Sequence, residues 1–553
     1  VPEVVGRLLA ARGVPIEAAA DFLDPTLRAL LPDPSVLTDM DVAAGRLARA
    51  VQAGETVGVF GDYDVDGACS AALMTLLLRG LGCTVITHVP DRIREGYGPN
   101  APALLALVAQ GATLIVCVDC GTAAAEALAA VVGRADVLVL DHHKAEGPPP
   151  PVLATVNPNR LDDASGLLGL CAAAVAFLAA VATLRALRRA GWFATRPEPD
   201  LRGLLDLVAL ATVCDVMPLV GVNRALVGQG LKIMGRRARP GLAALLEVAA
   251  AKDMPTAMTL GWALGPRINA GGRIDEADLG LRLLLCEDPV EAASLAARLD
   301  AVNRQRQDLE ASMMDAAHEA AHVQADAGRA VLMVHGMDWH PGVVGIVAGR
   351  IKQRQNRPAL AASVADGVVK GSGRSVGGVD LGAAVLAARR EGLLITGGGH
   401  AMAAGFSLTL DRLTAFHDFL DDRLAHAASL PRTEDLVVEG AVAVPGATVA
   451  LAEQLGRLAP FGTANEEPVF ALPRARVVRA DRIGRDGTTL RVMVEGEGGG
   501  PRLKVMLFRG ADSPLGQAVT ARGGPMHLAG HLRAEAWNDK VSACFVVMDA
   551  AEA

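Results

Sequence analysis

FGDYDVDGACS (residues 60–70) closes the apolar run ETVGVF (55–60) with three aspartates at alternate positions, and an Ala/Leu-rich run follows it. A buried strand that ends in an acidic loop and turns at Gly67 into a helix opens a β-helix-β unit. Such units build parallel sheets whose ligand-bearing loops lie at the carboxyl ends of the strands. The reading extends outward on both sides. ACSAALMTLLLRGLG (68–82) is a predicted helix, and CTVITHV (83–89), ATLIVCVD (112–119) and ADVLVLD (135–141) are predicted strands. A parallel sheet covered by helices on both faces is therefore expected. One aspartate of the loop is explained as a helix N-cap, for which Asp66 alone would suffice. Asp62 and Asp64 would then repel it and each other unless cations lay among them. An EF-hand loop is a poor match, because no glutamate stands at the twelfth position.

With 553 residues, 51% hydrophobic and 21% charged, the chain has the length for three or four domains and the apolar content to bury their cores. A formal charge of −8 excludes coating of nucleic acid through bulk positive charge and leaves only a local basic groove. Eight cysteines without regular spacing argue for a reducing compartment rather than a disulfide scaffold. Cys117 and Cys120 (CVDC) read as packing residues. The chain starts at Val1 rather than Met, which predicts further sequence upstream, and no basic-plus-apolar export signal opens it. Leu167 to Leu184 carries no charge, but seven of its residues are alanine, so a buried helix is expected rather than a membrane span.

Residues 1–50 read as short helices. Helices dominate from 167 to about 325, where the run from Asp288 to Asp326 has the length of a connector between two lobes. A second α/β unit starts near Ala330 and closes with the glycine cluster TGGGHAMAAGF (396–406). From residue 435 short strands and turns predict a small β-barrel of the OB type.

Two more strands end as the first does. LIVCVD finishes on Asp119 before Cys120-Gly121-Thr122, and VLVLD finishes on Asp141 before His142-His143. A second cap at Asp119 and a solvated turn at the histidine pair are the bland alternatives, and three successive strand ends make them a coincidence. Asp215, which ends the apolar run LVALATVCDVMPLV, is a further candidate. Carboxylates plus imidazole without thiolates suit Mn2+ or Mg2+. A pair of such ions supplies an activated water and neutralises a leaving oxygen in phosphodiester hydrolysis.

GDYDVDG, VDCGT, DHH and ATVCDVMPL resemble, in order, the four acidic motifs of the DHH phosphoesterase superfamily, and GGGHAMAAGF resembles the glycine-rich signature of its DHHA1 partner domain. REGYG (94–98), GPRINAGGR (265–273), HPGVVGIVAGR (340–350), SGRS (372–375) and PFGTANEEPVF (460–470) are similar to its single-strand-specific 5′→3′ exonuclease branch. The likeness runs over roughly residues 20–550. It implies an α/β fold: a parallel-sheet DHH domain (51–287) after an N-terminal helical segment (1–50), a connecting helix (288–328), a smaller α/β DHHA1 domain (329–430) and a C-terminal OB-like β-barrel (435–553). It assigns Asp64, Asp66, Asp119, His142 and Asp215 to two Mn2+ or Mg2+ ions, with Asp66, His142 and His143 as the catalytic group. His143 would touch the scissile phosphate, and Asp141 would orient the histidines. Phe60 stands where some DHH phosphatases carry histidine, so one ion is expected to have fewer protein ligands. Gly271 replaces a usual alanine.

The stretches Gly345–Ser375 and Val469–Arg509 each carry a net charge of +5, as a strand-tracking groove would. Arg374 with Ser372, Ser375 and His400 is expected to hold a terminal 5′-phosphate. Asn269, Arg267 and Arg273 fall in a predicted Gly/Pro-rich loop, with backbone phosphate contact expected for Arg273 and an interdomain salt bridge as its alternative. Tyr97 would stack on a base with Arg92 beside it, and Tyr63 would pack on the sheet rim. The resemblance implies a cytoplasmic enzyme of DNA repair and recombination that takes single-stranded DNA and works with a helicase and a single-strand-binding protein, away from membranes. The alternatives are a phosphodiesterase for short oligoribonucleotides or dinucleotides and a catalytically silent DNA-binding scaffold.

Overall fold

The computed structural model describes residues 2–431, 435–484, 486–521, 524–537 and 540–553. Arg485, counted in the second basic stretch, lies outside them. The first helix, α1 (Glu3–Ala11), lies apart, and α2 (Met40–Ala53), α3 (Val65–Gly80), α4 (Ala101–Ala109), α5 (Ala125–Ala129), α6 (Ala172–Arg189), α7 (Leu205–Cys214), α8 (Gly221–Met234) and α9 (Gly265–Ile274) belong with the first sheet. Its strands are β1 (Thr56–Gly61), β2 (Thr84–His88), β3 (Leu114–Val118), β4 (Asp136–Leu140) and β5 (Ala154–Val156). They lie all parallel in the order β2-β1-β3-β4-β5. Uncharged β-branched runs such as LIVCV form these strands because both sheet faces are covered. α2, α3, α6 and α7 bury one face, and α4 and α5 bury the other. The long uncharged stretch becomes α6 inside the first of these cores. Among the described residues no helix is long and apolar enough to cross a membrane.

α10 (Pro289–Asp326) is the expected connector, 38 residues long, capped by Asp288 on the N–H groups of Val290 and Glu291. Leu295 and Leu299 of its first half sit in the first core, while Met313, Ala317 and Ala321 sit under the second sheet. That sheet comprises β6 (Leu332–Met337), β7 (Ala359–Ala365), β8 (Val368–Arg374), β9 (Thr396–His400) and β10 (Ala403–Thr409), ordered β6-β7-β8-β10-β9 with only β6 and β7 parallel. It packs with α11 (Val344–Gln355) and α12 (Leu381–Arg390). The glycine cluster is a hairpin of this sheet rather than an irregular phosphate loop, since β9 and β10 pair from Thr396 to Ser407.

The barrel contains β11 (Gly440–Ala441), β12 (Phe470–Ile483), β13 (Thr489–Glu495), β14 (Leu503–Leu507), β15 (Met526–Trp537) and β16 (Lys540–Glu552), and pairing of β12 with β15 closes it. The first fifty residues form no unit of their own. Val5, Leu8 and Leu9 of α1 join the barrel core, whereas α2 belongs to the first lobe.

Arg224 on α8 clasps these parts together. Its side chain, 1% exposed, donates to Phe22 O at 2.6 Å, Leu458 O at 2.8 Å and Ala459 O at 2.7 Å, and its guanidinium lies 3.9 Å from the Phe22 ring centre. Burial lowers its pKa to about 10, and carbonyl oxygens rather than a carboxylate answer its charge. Asn465 binds Leu458 O and Pro460 O in the same loop, so PFGTAN is a structural clasp at the entry to the barrel. Arg224→Met leaves these carbonyls without donors and is expected to lower the unfolding free energy by about 3 kcal/mol or more. Urea denaturation reads this, and a loss within the usual scatter of surface substitutions would remove the clasp.

Candidate metal centre

Parallel strands set neighbouring carboxyl ends side by side, and the loops after β1, β3 and β4 therefore share one rim. Gly67 makes the first loop possible, because a Cβ there would strike the backbone of Asp62. Asp64 caps α3 by accepting from Gly67 N at 3.0 Å, so the cap is Asp64 and not Asp66. Asp66, 1% exposed, instead accepts from Ala172 N at 2.7 Å and Ala173 N at 2.8 Å at the start of α6. Asp119 is 2% exposed and lies in the left-handed region at φ 60. Asp215 follows α7 directly, so it arrives from a helix end and not from a sheet edge. The next residue, Val216, is held at φ 59, a costly conformation for a β-branched side chain.

These elements bring all five expected ligands together. Ligand atoms of Asp66, His142 and Asp215 lie within 4.8 Å of one another, as do those of Asp62, Asp64 and Asp119. His142 Nε2 is 3.3 Å from Asp119 Oδ1 and 3.4 Å from Asp215 Oδ2. Asp62 is not among the expected ligands, yet its Oδ1, Asp119 Oδ1 and Asp215 Oδ2 are all buried without a hydrogen-bond partner. Phe60 is fully buried in the apolar cluster with Leu104 and Leu107, whereas Asp62 stands in the triad with Asp64 and Asp119.

Three buried carboxylate oxygens without donors need positive charge from outside the protein. Burial, then the neighbouring aspartates, pushes Asp215 up to about 8 and raises Asp62 and Asp119 well above the usual carboxylate range. Oxygen-rich triads with one imidazole fit a pair of hard divalent cations.

Around the cluster a second layer fixes the histidines. Asp141 Oδ1 accepts from His143 Nδ1 at 2.7 Å and from His142 N at 2.7 Å, and its Oδ2 accepts from Thr122 N at 3.0 Å. Burial would lower the His143 pKa, but this bond and the Asp141 charge raise it to about 9. Asn157 donates to His143 O at 2.8 Å and Asn159 to His142 O at 2.7 Å. Both come from VNPNR, after β5, a strand end that the sequence reading passes over.

The other expected binding residues divide. Tyr97 OH donates to Asp119 O at 3.2 Å, and its ring meets His143 edge-on at 5.5 Å. Arg92 stands 5.1 Å over the ring of Tyr63. GPRINAGGR forms helix α9 rather than a loop. Arg267 is spent on Asp300 of α10 at 2.9 Å, and Asn269 is half-buried with no side-chain hydrogen bond among the described residues. Arg273 makes no salt bridge there and donates to Gly342 O at 3.0 Å across the lobes. Burial, then Arg92 and Arg374, lowers its pKa to about 10, so three guanidiniums face one another at the seam.

Arg374 donates to Ser372 Oγ at 2.9 Å beside Gly345 of α11. Ser375 is turned away: 1% exposed, it donates to Val379 O at 2.6 Å. His400 is exposed at the end of β9, two strands from Arg374.

Both basic stretches are less free than their net charge implies. Arg357 is buried on the carbonyls of Leu430 and Ala428. Arg350 pairs with Glu310, Arg474 with Glu497, Arg482 with Asp512 and Lys504 with Glu535.

The family model described as "DHH family, N-terminal domain" matches residues 56–212, "DHHA1 domain" matches 328–426 and "RecJ OB domain" matches 438–549. The chain is 40% identical over 521 residues to the single-stranded-DNA-specific exonuclease RecJ of Dickeya dadantii, covering 92% of this chain and 89% of that protein. The crystal structure of RecJ with Mn2+ from Thermus thermophilus matches with a TM-score of 0.80 at 30% identity, over 100% of this chain and 76% of that one. RecJ with Mg2+ from the same organism matches at 0.76 and 30% identity, over 100% and 74%.

Mn2+ binding is expected to stabilise the fold by about 2.7 kcal/mol at a hundredfold excess over Kd. Asp119→Asn, which keeps a side chain tolerant of the left-handed backbone, should lose this gain without lowering the metal-free melting temperature. An undiminished Mn2+ shift in that variant would take Asp119 out of the site. Without metal, Asp215 binds its proton more tightly folded than unfolded between its ordinary value of 3.8 and about 8. His143 does the same between its ordinary value of 6.5 and about 9. Both contributions therefore favour the fold at low pH and are lost as pH rises. The metal-free melting temperature should fall from about pH 5 to 8, and saturating Mn2+ should flatten the slope.

Proposed function

The chain belongs to the RecJ family of single-stranded-DNA-specific exonucleases, and on that premise we propose that it hydrolyses single-stranded DNA from the 5′ end at the rim of β1, β3 and β4. The observation that carries this reading is, among the described residues, a set of buried carboxylate oxygens without hydrogen-bond donors close to unpaired guanidiniums. An acidic cluster short of hydrogen-bond donors faces Arg92, Arg273 and Arg374, which no carboxylate among the described residues neutralises by a salt bridge. A phosphodiester held by divalent cations needs both.

Asp66, His142 and Asp215 would hold one Mn2+ or Mg2+, and Asp62, Asp64 and Asp119 the other. When bound, these ions supply a water acidic enough to ionise near neutral pH and charge that offsets the developing oxyanions. His143 keeps Nδ1 on Asp141, and its Nε2, 3.2 Å from the Tyr97 hydroxyl, would present a proton to an oxygen of the scissile phosphate. Asp141 would hold that proton, since its hydrogen bond and charge are the largest of the influences that raise the His143 pKa. Tyr97 positions the ring of His143 and borders the place of the reacting nucleotide. Arg374 and Ser372 would receive the terminal 5′-phosphate, with Arg273 and Arg92 on the adjoining backbone phosphates. The barrel would hold the strand farther from its end. Family membership supports a role in DNA repair and recombination in the cytoplasm, with a helicase and a single-strand-binding protein as partners.

Strands labelled at the 5′ or 3′ end and incubated with Mn2+ test polarity: label on the 5′ end should leave first, as a mononucleotide. Asp66→Ala and His142→Ala should each lose at least about a hundredfold in hydrolysis, since even residues behind the ligands are worth 10–100-fold. Strand binding should persist in both, and full activity in either variant would refute the site. Arg374→Ala should reduce the preference for 5′-phosphorylated over 5′-hydroxyl ends, and an unchanged ratio would remove that assignment.

A further inference from the structure

An exposed tryptophan stands where the helix ending at Asp215 meets the helix carrying Asn269 and Arg273. Trp262 is 76% exposed and lies on a single turn of π-helix, Thr259–Leu264, that runs directly into α9. π-Turns are uncommon and frequently mark functional sites. This one is locked to the end of α7. Cys214 Sγ donates to Leu260 O at 3.5 Å, and a Cβ at Gly265 would come within 2.5 Å of Cys214 Sγ. Asp215 of the metal cluster is the next residue after Cys214, and Val216 beyond it is 67% exposed. Three residues farther, Leu219 N donates to Thr463 O at 2.8 Å in the clasp that enters the barrel. The turn that bears Trp262 is thus tied to the residue before Asp215, and the segment after Asp215 runs through the exposed Val216 to the barrel's entry.

Spacing along the helix adds direction. Trp262, Pro266, Asn269 and Arg273 recur at intervals of four, three and four, which places them on one helical face. Leu260, Leu264 and Ile268 point into the core. From Trp262 to Arg273 the face extends about 16 Å. It offers a guanidinium near the seam, an amide in the middle and an indole at the far end, the groups that suit a backbone phosphate, a base edge and a base face.

We propose that Trp262 is a stacking platform for a nucleobase of the single strand, on the side of the scissile bond that leads to the barrel. Asn269 and Arg273 steady the chain between it and the metal ions. The proposal rests on the exonuclease reading above. It makes Trp262 a positioning residue that sets how long a strand must be before it binds well, since an indole stacks on any base without reading sequence.

The test uses the full chain with Mn2+ and a single strand long enough to reach the barrel. Trp262→Ala should raise KM about tenfold, as loss of one base–aromatic stack does, with kcat changing much less, and Trp262→Phe should restore most of the affinity. Moving a single abasic site along the strand should reproduce the KM rise in the wild type at one position and add nothing there in Trp262→Ala. An alanine variant with the KM of the wild type, or a wild type indifferent to every abasic position, would overturn the platform while hydrolysis by the wild type leaves the exonuclease reading standing. A patch that serves a second copy of the chain would instead show as a wild-type dimer in sedimentation, broken by Trp262→Ala at unchanged KM, and would overturn it too. A wild type that binds no single strand overturns both.

Discussion

Buried carboxylates with too few donors are the constraint on which the rest of the molecule depends. Asp66 is offset by the N–H groups of Ala172 and Ala173, and Asp141 by Thr122 and the two histidines. Among the described residues no hydrogen bond reaches Asp62 Oδ1, Asp119 Oδ1 or Asp215 Oδ2, and the imidazole nearest the last two, His142, is shared between them. Like charges in a low-dielectric rim push apart unless the scaffold holds them and cations arrive. The scaffold's share is visible in the parallel strands, in Gly67 against the Asp62 backbone and in the strained turns at Asp119 and Val216. Stability is given up at this rim so that it is ready for metal.

The second lobe supplies the opposite charge. α10 is shared by both cores, so the two lobes are set against each other by one rigid rod rather than by a flexible linker. Arg273 reaches across to Gly342, and Arg374 comes up from β8 beside Gly345. Buried guanidiniums of like charge are costly to gather and persist where an anion completes them. The Arg224 clasp then holds the third unit, the barrel, in a set relation to α8, so the path from the cleft to the barrel is a property of the fold.

Much of the site is legible before the fold is known, and the failures have physical causes. Three strand ends carrying Asp or His are enough to place the rim, because strand termini are marked by composition over a few residues. Alternation in DYDVD cannot say which carboxylates converge, and the cap falls to Asp64 rather than Asp66. GPRINAGGR reads as a loop on its glycines. It is helical because those glycines admit Tyr63 and Glu276 backbone at close range and Arg267 finds Asp300 on α10. Net charge overcounts the basic stretches, since Arg357, Arg474, Arg482 and Lys504 already have partners. Ser375 looks like its neighbour Ser372 in sequence and points the opposite way.

Hydrophobic periodicity, turn residues and motif order were sufficient for the parallel sheet, the long connector, the second α/β unit, the barrel and the acidic and histidine positions that the fold brings together, because each is written in short-range pattern. Only the folded chain decided which oxygens lack a donor, which arginines lack a carboxylate, and that Asp62 joins the acidic cluster while Trp262 stays exposed. Those properties come from residues far apart in the chain meeting in a low-dielectric cleft, where the presence or absence of one partner sets the charge a group can bear.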